Sequence, residues 1–240
     1  MKLIRIEKVT SYGLEEAIRG MRNPMNSWDK SDSGEGCCKS TNYTRFVLCD
    51  NCSDECVGNA LCDRENAYFQ AGKDDISLMT NLAHSGKDHA KYRRMITVYA
   101  DIIAPLYWWK EFDTYKVGTV ANSCSTMHKI ADKEFTLEDF SIEHLYYDNL
   151  RFFKELIGRL NWCRELYLET KIKDDWWQMI QLLPSSYNQK RTVMFNYEVL
   201  TNIYNSRKNH KLDEWRDFCK WIKELPYSNI ITLEEEDNDE

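Results

Sequence analysis

Two stretches of this chain hold side chains whose types and spacing suit chemistry. In Leu182–Arg207, Asn196 and Asn202 stand six residues apart, nearly two turns of one helix, and present two amide groups along it. Arg207 closes that helix. A guanidinium there is electrostatically favoured in any protein, and aimed at a reacting centre it can also stabilise negative charge developing on a substrate. In Ala104–His128 a short helix carrying Glu111 leads into Thr114-Tyr115-Lys116 and then a run of small residues to Ser125. Hydroxyls and backbone amides in such a run can cradle an anion, or can simply connect two elements. His89, in Ser85-Gly86-Lys87-Asp88-His89, is a lone histidine, which on its own is more often a surface or capping residue than a ligand contact. Cys49, Cys52, Cys56 and Cys62 form C-x2-C-x3-C-x5-C, a set of thiols that can hold zinc tetrahedrally. The spacing is irregular and lacks a second C-x2-C knuckle, so an unliganded, reduced cluster is the expectation and no metal is assigned.

The elements that must position these residues read as a helix-rich α+β domain. Only four prolines and nine glycines punctuate 240 residues, which favours long helices. Lys2–Val9 reads as a strand, Leu14–Met21 as a short helix, and Asn23–Ala71 as a long irregular Cys-rich insertion with one hairpin around Thr44–Leu48. Asp74 is placed to cap a helix carrying Ile76, Leu78, Met79 and Leu82 on its apolar side. Arg94–Ile102 alternates Ile96, Val98 and Ala100 against Met95, Thr97 and Tyr99, as a half-buried strand does. Pro105 starts a helix over Leu106–Phe112. Thr136 to Asp139 is a capping pattern, and the longer helix after it shows Leu150, Phe153, Ile157 and Leu160 at helical spacing. Helices over Asp174–Leu182, Asn196–Ser206 and Leu212–Leu225 follow, with a short strand at Arg191–Phe195 between the first two. Of the tryptophan pairs Trp108-Trp109 and Trp176-Trp177, one member each is expected in the core, since adjacent helical residues diverge by about 100°. The other member could line a pocket or a subunit interface, with core the expectation for both. Residues 1–230 are expected to form one domain with its insertion at 23–71, and 231–240 an acidic tail.

Composition bounds the function classes. The net charge of −7 offers no field to attract a nucleic-acid polymer. No apolar run reaches the roughly 18 residues that span a membrane. The amino-terminal stretch lacks the apolar core of an export signal, and the nine cysteines are an odd number, so a reduced, cytoplasmic setting is expected. No glycine pattern reads as a dinucleotide fingerprint.

The two chemistry-bearing stretches resemble the signature regions of the flavin-dependent thymidylate synthases (the thymidylate synthase complementing protein family). That family's first region reads R-Q-x-x-R-H-R-x-x-S and then N-E-x-S. Lys110 and Glu111 fall on its Arg-Gln, Thr114, Tyr115 and Lys116 on R-H-R, and Thr119 on the following Ser. After a one-residue insertion Asn122 and Ser125 match its Asn and Ser, while Ser123 replaces its Glu and Met127 a later Arg. Counted back from Pro105, His89 falls on the family's flavin-contacting His. Counted forward from Pro184, Asn196, Leu200, Asn202 and Arg207 all fall on family positions. Glu198 stands where the family has an Arg, and Ile180 where it has an Arg for the nucleotide phosphate.

The resemblance implies a flavin-dependent thymidylate synthase-like α+β fold and a homotetramer with shared active sites. It implies FAD held by His89, Lys116, Asn196 and Asn202. Deoxyuridylate would be held by Glu111, Ser125 and Arg207, with Arg207 catalytic. The reaction implied is C5 methylation of deoxyuridylate with methylenetetrahydrofolate and NADPH. The departures keep two alternatives open: a related flavin enzyme acting on another pyrimidine nucleotide, and a family scaffold that binds without catalysing.

Overall fold

The computed structural model describes residues 3–36 and 68–233. Its centre is a four-stranded antiparallel sheet in the order β1 (Arg5–Tyr12), β4 (Thr97–Pro105), β6 (Asn188–Asn196) and β5 (Thr119–Ser123). A second, two-stranded ribbon pairs β2 (Gly34–Gly36) with β3 (Tyr68–Gln70) at the two ends of the Cys-rich insertion. The hairpin expected at Thr44–Leu48 and the four spaced cysteines lie outside the described residues.

Strand β4 obeys its alternation. Val98, Ala100, Ile102 and Ala104 are buried on one face, and Val193 and Phe195 of β6 join them. Tyr99 points to the opposite, open face. The strand begins later than Arg94 because Ala90–Arg94 coils into a 3-10 turn that buries Tyr92 and Arg93. Strand β5 has no counterpart in the sequence reading. It is an edge strand exposed along most of its length, so no apolar period marks it.

The helices are α1 (Leu14–Arg22), α2 (Lys73–His84), α3 (Leu106–Phe112), α4 (Thr126–Lys129), α5 (Tyr147–Thr170), α6 (Lys173–Leu182), α7 (Tyr197–Arg207), α8 (Asp213–Lys223) and α9 (Asn229–Thr232). Helices α3, α7 and α8 close over the buried sheet face. Trp108, Trp109, Phe112, Trp215 and Phe218 fill the space between, all 2% exposed or less. Both members of the first tryptophan pair are therefore core. Helix α3 is covered on two sides: the Trp109 indole donates to the Gln189 carbonyl at 2.9 Å, while Trp108 packs on Trp215 with ring centres 4.7 Å apart. The second pair is the reverse, with Trp176 half-buried and Trp177 exposed. A separate apolar cluster joins α5 and α6 to the segment after α4, through Ile130, Phe135, Phe140, Ile157, Leu160 and Met179.

Two caps differ from expectation. Helix α2 starts after Gly72, and its acceptor comes from afar: the Asp32 carboxylate takes the amides of Asp74 and Asp75 at 2.9 and 3.1 Å. Asp74 sits inside the first turn, too late to cap it. The Thr136/Asp139 capping box forms, but on a single 3-10 turn, Leu137–Asp139, and the long helix starts only at Tyr147. Beyond α8, Ile230 and Ile231 of α9 are fully buried.

Candidate functional site

The hydrophobic period of α7 sets the geometry of the second stretch. Val199, Leu200, Ile203 and Tyr204 face the core, and their burial fixes where the polar residues between them stand. Asn196 is the N-cap, its Oδ1 accepting from the Val199 amide at 2.9 Å. That leaves the amide nitrogen of Asn196 as its outward group, and this nitrogen lies against Gly118. A Cβ at Gly118 would come within 2.7 Å of it, and Gly118 already adopts φ +81°. Lys116, exposed, is two residues earlier on the same turn, and Asn202 is half-buried on α7.

At the other end of α7, Arg207 enters a polar cluster. Its Nε donates to the Tyr115 hydroxyl at 2.9 Å and its Nη1 to Glu111 at 2.9 Å. The guanidinium carbon lies 4.8 Å from the centre of the Trp215 ring. The same Glu111 oxygen accepts from the Trp215 indole at 2.8 Å, and His210 Nε2 lies 3.5 Å away. A fixed carboxylate thus holds a guanidinium that is stacked on an aromatic face and mostly screened from water. Behind it, burial pushes the Cys219 thiol up to about 12, against the pull of Arg207, so this cysteine stays protonated and is no nucleophile.

The structure therefore joins the two sequence stretches along the β5–β6 pairing and at both ends of α7, with Gly118 on Asn196 and Tyr115 on Arg207. It also brings Glu111 onto Arg207. His89 is exposed, immediately before the Ala90–Arg94 turn. That turn is fastened to α7 by Arg93, which donates to Thr201 at 3.2 Å and to the Ile230 carbonyl at 3.0 Å. Arg93 also stands 3.2 Å from Glu198 in an ionic contact that lacks hydrogen-bond alignment. Glu198 is thus the counter-ion of a buried arginine rather than a free negative charge. Ser125 stands apart from the Arg207 cluster. It caps α4, accepting from the His128 amide at 3.0 Å, and α4 rests against α6. Ile180 packs against the second apolar cluster.

The sequence reading missed Arg93, His210 and Trp215. A basic residue in the run Lys91-Tyr92-Arg93-Arg94 gives no sign of burial. Trp215 lies on the apolar stripe of α8, which marks it as core but not as a hydrogen-bond donor to Glu111. Among the described residues no group of three or more His, Cys, Asp or Glu is placed to hold a metal ion. Nor is any helix among them long and apolar enough to cross a membrane.

No protein-family model matches the sequence, and no curated protein matches it. Solved structures do. A crystal structure of thymidylate synthase X from Helicobacter pylori with FAD and dUMP aligns over 96% of each chain, with TM-score 0.61 and 15% identity. The fold is that of the flavin-dependent thymidylate synthases. A second crystal structure of the Helicobacter pylori flavin-dependent enzyme, also with FAD and dUMP, aligns with TM-score 0.59 and 16% identity over 96% of this chain and 97% of that one. A UMP/dUMP methylase from Streptomyces cacaoi, bound with 5-bromo-UMP, has TM-score 0.57 and 12% identity over 96% of this chain and 94% of that one. The flavin-dependent thymidylate synthase fold thus extends to a chain whose signature residues are largely exchanged.

Proposed function

We propose that this chain is an FAD-dependent enzyme that methylates a pyrimidine nucleotide at C5, with deoxyuridylate as substrate, methylenetetrahydrofolate as carbon donor and NADPH as reductant. The observation that carries this reading is the double junction of the signature stretches. Residues 115–118 meet both ends of α7, the asparagine end through Gly118 and the arginine end through Tyr115. That Solved relatives of the same fold hold FAD and dUMP, or 5-bromo-UMP, supports it further.

The residues fit a flavin. Gly118 lets the 115–118 turn pack directly on the Asn196 amide, a close approach that a side chain would disrupt. Lys116 and His89 are exposed, the first as a cation and the second as an imidazole, suited to an anionic dinucleotide. Asn202 adds a second amide on α7. Bound FAD, once reduced by NADPH, would supply the hydride that completes the methyl group. The chain's own part is electrostatic. Arg207, held by Glu111 and Tyr115, would offset negative charge as it develops on the pyrimidine ring, and its rigid setting costs no reorganisation. Glu111 and Ser125 would orient the nucleotide. Ser125 and Arg207 belong to separate parts of one chain, so in the homotetramer that the resemblance implies, neighbouring copies would complete each site.

Flavin fluorescence quenching during FAD titration tests the cofactor, and rescue of a thymidine auxotroph tests the reaction. Saturable FAD binding with rescue is expected. No binding up to the high micromolar range would end the enzyme reading. The similarity to a UMP/dUMP methylase motivates a second substrate, so UMP is assayed beside dUMP. Binding of FAD with turnover of neither nucleotide would point to a non-catalytic scaffold.

A further inference from the structure

His210 stands just beyond the end of α7, three residues past Arg207, and its ring meets two donors. The Nε2 atom lies 2.8 Å from Arg207 Nη1, and the Nδ1 atom lies 3.1 Å from the Leu212 amide nitrogen. An amide N–H and a guanidinium N–H can only donate, so each contact asks the ring for a lone pair. A neutral imidazole has one lone pair and one N–H, and an imidazolium has no lone pair at all. One ring therefore serves one of the two donors. The guanidinium contact is the shorter and is charge-assisted, which makes it the stronger. Held by Arg207, His210 is neutral, with its proton on Nδ1.

Charged and titratable groups approach the ring from three elements. Glu111 of α3 lies 3.5 Å from Nε2, and the same carboxylate oxygen already accepts from Arg207 and from the Trp215 indole. Tyr115 takes Arg207 Nε, and the Trp215 ring centre lies 6.4 Å from that of the imidazole. On α8, Arg216 donates to the His210 carbonyl at 2.8 Å and pairs with Asp213, whose other oxygen lies 3.5 Å from His144. A proton on Nε2 would set an N–H against the Arg207 N–H and place two cations side by side. It would also turn the imidazole into a rival of Arg207 for Glu111. The bonds named here use Nε and Nη1 of Arg207 and leave Nη2 for a ligand. We infer that His210 is the positioning residue for Arg207: the neutral ring holds Nη1 and so fixes the guanidinium with Nη2 left for the nucleotide, and protonation of the ring releases it. The inference rests on the proposed function for what Arg207 acts on, and on the geometry alone for the contact.

The test has two arms. The first is a double-mutant cycle of His210→Ala and Arg207→Ala, read as urea unfolding midpoints of the full chain at about pH 8 and about pH 5, on either side of imidazole titration. Coupling should be favourable at the higher pH and should vanish or change sign at the lower, where the two groups carry like charge. Both side chains are part-exposed, so the variants keep their fold. Coupling of equal size at both pH values, or none at the higher, would overturn the inference. The second arm is the pH profile of kcat/KM for dUMP methylation by the FAD-loaded protein. In wild type it should fall by up to about tenfold per pH unit as the imidazole takes its proton. His210→Gln, whose carbonyl oxygen accepts from Nη1 at every pH, should restore the turnover lost in His210→Ala and should lack that acid limb. The same acid limb in wild type and in His210→Gln would overturn the inference. If wild type turns over no nucleotide while the coupling still depends on pH, the proposed function falls and the proton-dependent contact stands.

Discussion

The guanidinium of Arg207 donates to the carboxylate of Glu111 at 2.9 Å, joining the end of α7 to the body of α3. The same oxygen receives the Trp215 indole at 2.8 Å. The pair is part-exposed, so the ionic share is modest, while Trp215 is fully buried and its N–H has a great deal to lose. Glu111→Gln keeps an acceptor for the indole and removes only the charge. It should cost about 0.5–1 kcal/mol in urea unfolding. Glu111→Ala strands the indole N–H and should cost about 1–3 kcal/mol. Equal losses for the two variants would mean that Trp215 does not depend on this carboxylate.

Arg207→Ala should lower pyrimidine methylation by about 10²–10³-fold, the effect of removing one donor to a developing oxyanion. FAD affinity should change little, because the Asn196 end lies at the opposite end of α7. A helix-terminal arginine by dipole alone is worth about 0.3–1 kcal/mol. Here the side chain also stacks on Trp215 and bonds Tyr115, so a stability loss of about 1–3 kcal/mol is expected. Arg207→Lys separates the two effects, restoring the charge without the planar fork. Near-normal turnover in Arg207→Ala would reduce this residue to a structural clasp.

How far the site was legible in the sequence depended on what each residue answers to. Asn196, Leu200 and Arg207 share one helix, so a count from Pro184 and the 3.6-residue period carry them together. The sheet face of β4 was equally readable from Ile96, Val98 and Ala100. Contacts between distant elements were not. Nothing in sequence spacing joins Arg93 to Glu198, so the glutamate read only as a departure from a family Arg, and its pairing with a buried cation stayed hidden. Local cap rules failed where the partner was remote, as with Asp32 on α2. Trp108 and Trp109 are both core, as expected, because α3 is covered on both sides.

The buried pair Arg22–Asp75 contributes to the acid limit of the fold, beside Asp217, whose carboxyl is also held low, against its burial, by Lys220 and the Leu3 amide. Burial alone would raise the Asp75 carboxyl. Hydrogen bonds from Ser31, Ser33 and Arg22, together with the Arg22 charge, outweigh it and hold the group below the ordinary aspartate range. A carboxyl held low in the folded state stabilises fully above its unfolded value, about 3.9, and that contribution is lost as pH falls through the lower folded value. Denaturation midpoints should therefore drop below about pH 4 in wild type. Asp75→Asn should be less stable by about 3–5 kcal/mol at neutral pH, since it leaves Arg22 buried without a counter-charge, and its acid limb should be flatter. A variant with an unchanged acid limb would move the titration to another group.

Gly118→Ala probes the close approach of the turn to Asn196. The residue sits at φ +81°, where a side chain is strained, and an added Cβ would lie 2.7 Å from the Asn196 amide nitrogen. Strain of this kind costs about 1–3 kcal/mol. The energy can be relieved in two ways: Asn196 moves and α7 loses its cap, worth about 0.5–2 kcal/mol, or the 115–119 turn shifts outward. Either movement disturbs the packing of the 115–119 turn on the Asn196 amide, so FAD binding should weaken more than thermal stability falls. Gly13→Ala is the comparison. It too has positive φ, +87°, and its Cβ would clash with the Met95 carbonyl oxygen, but it stands at the start of α1, away from the Asn196 end of α7. That variant should lose stability without any specific change in FAD affinity once measured below its unfolding temperature. If both glycine variants bind FAD alike, Gly118 shapes only the backbone, and the flavin does not lie on the Asn196 end of α7.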